Sequence, residues 1–76
     1  MEVEAAKLLA AGLCMGIGAV GSGIGEGIVG GRALEAMARN PKVSDKIFTN
    51  MIVAIALAES TAIYSLVVAL IILFLF

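Results

Sequence analysis

The sequence predicts an all-α membrane protein, a two-helix transmembrane hairpin assembling into a closed homo-oligomeric ring. Three observations lead there. Of 76 residues, 62% are hydrophobic and 14% charged, a balance suited to lipid rather than water as solvent. Two long apolar runs flank one short polar stretch. All nine glycines lie in the first run. The same composition excludes other classes. One Cys permits no internal disulfide, and without His no zinc cluster forms. A net charge of −1 with no basic stripe argues against nucleic acid as a partner. After two spans, no chain is left for a catalytic domain.

The first apolar run extends from Leu8 to Gly31 and the second from Ile47 to Phe76. Each exceeds the roughly 20 residues needed to span a bilayer. Lipid leaves no water for unpaired backbone groups, so each run must be a helix, even where Val67, Val68, Ile71 and Ile72 are β-branched. Neither run reads as a signal peptide, because the chain starts on Glu2 and Glu4 rather than on basic residues.

Helix one is expected over 5–39. It outlasts the first apolar run because residues 33–38 are mostly good helix formers. A polar loop follows at 40–43, where Pro41 lacks an N–H and disfavours helix at Asn40. Helix two is expected over 44–76, with Ser44 as its cap and Asp45 favourable against its dipole. So short a loop cannot recross a membrane, which leaves both termini on one side. Arg32, Arg39, Lys42 and Lys46 cluster at the turn, which places the loop in the cytoplasm. The acidic start, with no transit peptide, points to a bacterial plasma membrane.

Within helix one, Gly21, Gly23, Gly25 and Gly27 alternate. Residues two apart on a helix point about 200° apart. Gly21 with Gly25 and Gly23 with Gly27 therefore form two nearly opposed small-residue faces. One such face suits a dimer. Two opposed faces suit a neighbour on each side, a head-to-tail contact that closes into a ring or runs on as a filament. An isolated pair of glycines would usually serve packing inside the hairpin or a kink, but seven glycines between Gly16 and Gly30 favour the ring.

Glu59 lies near the middle of the second run and Glu26 lies inside the first. A charged side chain at mid-bilayer costs about 2.5–3.5 kcal/mol on insertion scales, so an acid there is a functional candidate by default. The midpoint between the two falls beside the turn, between Lys42 and Val43. Each acid is thus about 25 Å from the fold, and a hairpin closed there sets them at one depth. A plain polar contact would explain Glu59 poorly, since Ala or Ser would serve at less cost. Glu26 is open to a second reading, as a partner that only orients Glu59. Three hydroxyls, Ser60, Thr61 and Ser65, follow Glu59, and Tyr64 shares a face with Ser60. Clustered oxygens without nitrogen or sulfur suit a hard alkali or alkaline-earth cation. Hydroxyls in membrane helices also bond to carbonyls one turn back. That is the expectation for Ser65, whereas Ser60 and Thr61 beside the acid are read as a site.

The glycine series Gly21-Ser22-Gly23-Ile24-Gly25-Glu26-Gly27, the loop Arg39-Asn40-Pro41 and the mid-membrane acid Glu59, in register, resemble the proteolipid that forms the rotor ring of F-type ATP synthases, over essentially the whole chain. The resemblance implies a ring of identical subunits, the c-ring, with helix one inside and helix two outside, turning against the a-subunit of the stator. It implies ions carried on Glu59, Arg39, Asn40 and Pro41 meeting the gamma and epsilon subunits of the central stalk, lipid around the ring, and no enzymatic activity in the proteolipid alone. The segment Glu59-Ser60-Thr61-Ala62-Ile63-Tyr64-Ser65-Leu66 looks like the sodium-coupled subset. By that resemblance Na+ takes side-chain oxygens from Glu59 and Ser60 and the backbone carbonyl of Leu57. Thr61 holds a water, and Tyr64 hydrogen-bonds Glu59. Many sodium-type members carry Gln where Glu26 stands, and some carry a second acid. Glu26 is expected to stay protonated and to offer Na+ its carbonyl oxygen, leaving the loaded site neutral. No cofactor is expected beyond the transported ion.

Two other readings compete. A proton on Glu59 neutralises the site equally well, so H+ is the alternative coupling ion. A pore-forming or structural hairpin is more distant, because it needs no acid in each helix at equal depth. An independent enzyme is weakest, because Ser60 has no His or Lys partner to act as base. Cys14 reads as a small packing residue. Phe48, Leu73, Phe74, Leu75 and Phe76 read as lipid contacts. Lys7 with Glu2 and Glu4 reads as the outer interface, and Glu35 as a partner for Arg32 or Arg39.

Overall fold

The structure is a computed structural model that describes residues 2–76. Helix α1 runs Val3–Arg39, a short 3-10 turn spans Pro41–Val43, and helix α2 runs Ser44–Leu75. The two helices lie side by side as a hairpin measuring 58 × 18 × 8 Å. Both are long and apolar enough to cross a membrane. The hairpin is about twice the hydrocarbon thickness of a bilayer, roughly 30 Å, so its ends project beyond the apolar layer.

Helix α1 starts two residues before the expected Ala5. Nothing in Val3 or Glu4 breaks a helix, and Glu4 in the first turn is favourable against the dipole. The Ala6 N–H donates to the Glu2 carbonyl at 2.9 Å, and Glu4 pairs with Lys7 at 3.7 Å. Among the described residues this is the only ion pair, and neither Arg32 nor Arg39 reaches Glu35. Such exposed pairs hold little energy in any case. Helix α1 ends where Pro41 dictates: Asn40 leaves helical geometry, and its N–H still donates to the Ala36 carbonyl at 3.0 Å.

Ser44 does not cap α2. It already sits in helical geometry, and its N–H donates to the Pro41 carbonyl. The Val43 N–H likewise donates to the Asn40 carbonyl at 3.1 Å. The 3-10 turn feeds directly into the helix and supplies carbonyl acceptors to its first N–H groups. A side-chain cap is therefore not needed there. At its other end α2 stops at Leu75, one residue before the chain does.

The helices meet along lines of small side chains. On α1 the line runs through Ala11, Cys14, Gly18, Ser22 and Gly25, and on α2 through Ala58, Ala62, Ser65 and Ala69. These positions recur every three or four residues, the spacing of one helix face. Among the described residues only Ala11, Ser22, Ala62 and Ala69 are buried. Close approach of small side chains is how helices associate where lipid removes the hydrophobic drive between them. Most of the large apolar residues, from Val3 to Phe76, are exposed, while Ile47, Ile55, Ile71, Ile72 and Leu73 are half-buried.

Gly18 is the tightest point. A Cβ there would collide with both the Cβ and the hydroxyl of Ser65. Ser65 is held in place by donating to the Thr61 carbonyl at 3.1 Å, and the Cys14 thiol donates to the Ser65 carbonyl at 3.4 Å. Gly18→Ala is therefore expected to destabilise the assembled protein by about 1–3 kcal/mol, the usual cost of overpacking. Thermal dissociation in detergent measures the loss. Ser65→Gly in the same chain is expected to restore most of it, because it removes the atoms that collide.

Candidate functional site

Glu26 and Glu59 come together across the helix pair. Both carboxyl groups gather on one hydroxyl, that of Ser22. Ser22, one turn before Glu26 on α1, sits between them with 4% of its surface exposed. Its hydroxyl lies 3.3 Å from Glu59 Oε2 and 3.5 Å from Glu26 Oε1. Both distances are long for a hydroxyl donor, and one hydroxyl has one proton for two acceptors. Two carboxyls gathered on one hydroxyl suit a proton or a cation between them, because two bare charges in an apolar layer repel. Glu26 is half-buried, and Glu59 is turned toward the outer surface of the pair.

The hydroxyls beside Glu59 are engaged with their own helix. Ser60 donates to the Leu57 carbonyl at 2.6 Å, and Thr61 donates to the Ala58 carbonyl at 2.9 Å. Ser65, expected to bond one turn back, does so. A hydroxyl that donates keeps its lone pairs, and a carbonyl oxygen has two. The oxygens of Ser60, Thr61 and Leu57 therefore retain acceptor capacity for a cation. Leu57 and Thr61 are exposed and Ser60 is half-buried, so this stretch of α2 lies at the surface of the hairpin.

Tyr64 is 69% exposed and makes no hydrogen bond to Glu59. Five residues apart on one helix, the two side chains point about 140° from each other. A Tyr64 that reaches a Glu59 must reach one on an adjoining hairpin. Arg39, Asn40 and Pro41 lie at the far end of the molecule, exposed on the turn, and take no part in the acid pair.

The glycines divide into two groups. A Cβ at Gly21, Gly23 or Gly27 would meet nothing within 4 Å, so these positions contribute no close contact to the hairpin itself. Gly25 differs, since a Cβ there would lie 4.0 Å from the Ala58 side chain. It belongs to the hairpin's own interface because it falls one turn after Ser22 on the inward line.

Sequence reasoning gives no role to Ser22 or Gly18. For Ser22 a signal is present: it stands four residues before Glu26, hence on the same face. For Gly18 the pattern points elsewhere, to the alternating series that begins at Gly21.

The sequence profile of the ATP synthase C-subunit family matches residues 9–72. The chain is 55% identical over 74 residues to the ATP synthase c-subunit of Dehalococcoides mccartyi, covering 97% of each chain. It is 59% identical over 68 residues to that of Petrotoga mobilis, covering 90% of this chain and 71% of the relative. It is 58% identical over 67 residues to that of Thermotoga maritima, covering 88% and 79% respectively. With a hairpin of two membrane-length helices and an acid pair between them, the chain belongs to the ATP synthase C-subunit family.

Proposed function

We propose that this chain is a rotor-ring component of an F-type ATP synthase and carries Na+ across the membrane on Glu59. In this proposal, copies of the hairpin form a ring in a bacterial plasma membrane, with α1 inside and α2 outside. The loop is cytoplasmic and both termini lie opposite. Arg39, Asn40 and Pro41 meet the gamma and epsilon subunits, and the ring turns against the a-subunit. The hairpin itself catalyses no bond-making step. One observation carries the proposal: in a chain of this family, Glu26 and Glu59 gather on the buried hydroxyl of Ser22 between two membrane-length helices.

The ion binds where Glu59, Ser60 and the Leu57 carbonyl supply oxygens, with Thr61 holding a water. Glu26 remains protonated and offers its carbonyl oxygen. Na+ and one ionised carboxylate then sum to zero. A neutral site turns through lipid, whereas an empty, charged Glu59 resists leaving the polar interface with the a-subunit. A fixed positive group on that stator partner, an Arg by its constant charge, releases the ion. Tyr64 completes the site from the adjoining hairpin by donating to Glu59. Each ion crossing supplies about 2.3 kcal/mol per 100 mV of membrane potential, so several pass for each ATP.

Carbodiimide modification of Glu59, which needs a protonated carboxyl, tests the coupling ion. Tens of millimolar NaCl, against the same ionic strength of choline chloride, are expected to slow labelling several-fold over part of the pH range. If NaCl gives no protection at any pH, the carrier role passes to H+. The proton reading has its own support in the two carboxyls placed to share one proton around Ser22. The clustered oxygens of Ser60, Thr61 and Leu57 beside Glu59 favour Na+, since a proton needs no such set.

A further inference from the structure

Ser22 is a buried polar side chain in a line otherwise made of Ala, Gly and Cys. Alanine would fill its place between the helices. What Ser adds is a hydroxyl, and that hydroxyl is aimed at both acids, 3.3 Å from Glu59 on α2 and 3.5 Å from Glu26 on α1. No other described side chain donates a hydrogen bond to both.

We infer that Ser22 is a positioning residue of the ion site. Its hydroxyl ties Glu59 to Glu26 and holds the carrier carboxyl toward α1. This rests on the reading of Glu59 as the ion carrier and holds for either coupling ion. Glu59 is the exposed member of the pair, and no neighbouring hydroxyl on α2 donates to it: Ser60 and Thr61 donate to backbone carbonyls, and Tyr64 points away. The tether is weak by its length. A single proton shared between two distant acceptors positions Glu59 without locking it. The carboxyl therefore swings out at modest cost when the stator attracts it.

The test compares wild type with Ser22→Ala, Ser22→Cys and Ser22→Thr in membranes holding the assembled synthase, without Na+ and at one fixed pH. Loss of the hydroxyl is expected to speed carbodiimide labelling of Glu59 about three- to tenfold in Ser22→Ala. Ser22→Cys, whose thiol is a weak donor, is expected to fall between Ala and Ser. Ser22→Thr keeps the hydroxyl and is expected to restore slow labelling where its methyl is accommodated. A residue that only fills space would change the ring's thermal stability and leave labelling alone. Labelling at the wild-type rate in both the Ala and Cys rings overturns the proposal. So does an unmoved infrared carbonyl band of the protonated carboxyl in those rings. A wild-type ring in which carbodiimide leaves Glu59 unmodified, or a Glu59→Gln enzyme that still makes ATP, overturns the carrier reading instead.

Discussion

Glu59→Gln is expected to reduce ion-driven ATP synthesis to the background of the assay while the ring still assembles. The amide matches the acid in shape, so packing against Ser22 and the neighbouring helix surface is preserved. What disappears is the charge. Gln holds neither Na+ against a neutralising carboxylate nor a proton that it can release. Every copy of the variant site is permanently neutral and idle. The same exchange at Glu26 separates the two acids by role. Gln keeps a carbonyl oxygen and is neutral, as a protonated Glu26 is. Synthesis in Glu26→Gln is therefore expected to stay within about tenfold of wild type, the scale of one altered hydrogen bond. Reconstituted vesicles driven by an imposed ion gradient measure both variants. A Glu59→Gln enzyme that synthesised ATP would remove Glu59 from the mechanism. Equal loss in both variants would mean that the pair works as a unit.

Replacing Gly23 and Gly27 together by Leu is expected to abolish the ring and leave the hairpin intact. The new side chains meet nothing inside the hairpin, since no atom lies within 4 Å of either Cβ position. The helix itself gains, because Gly in a helix interior costs about 0.5–1 kcal/mol relative to Ala. Failure must then come from outside the hairpin, where a neighbour needs to approach the backbone closely. Overpacking costs about 1–3 kcal/mol at one site, and a ring repeats the cost at every contact. Electrophoresis of the solubilised protein distinguishes ring from free hairpin, and helical content by circular dichroism checks the fold. An intact ring would show that these glycines do not lie between copies. Gly18→Ala is the counterpart, since its collision with Ser65 lies within one chain.

The helices and the turn were legible because each follows from a local property. Apolar runs of this length have one stable form in lipid, and Pro41 ends a helix wherever it stands. The meeting of Glu26 and Glu59 was legible from arithmetic on either side of the turn. The rest was not, because it depends on how far each helix is rotated about its own axis. Spacing shows that Gly21 and Gly25 share a face, but only the packed pair reveals that Gly25 meets Ala58 while Gly21 meets nothing. The same rotation turns Ser22 inward between the acids and Tyr64 outward, away from its own Glu59. The expected Ser44 cap fails for a related reason: the 3-10 turn before it has no signature beyond Pro41.

From Glu59, α2 continues about 24 Å to Leu75 and about 18 Å back to Ile47, where its apolar run begins. That run is longer than the roughly 30 Å hydrocarbon layer of a bilayer. On the proposed carrier role, the share of the membrane voltage on each side of Glu59 is therefore set by how the hairpin is seated in the bilayer. Residues that anchor the two ends, far from the acids, then tune how strongly the electric field acts on filling the site and on emptying it.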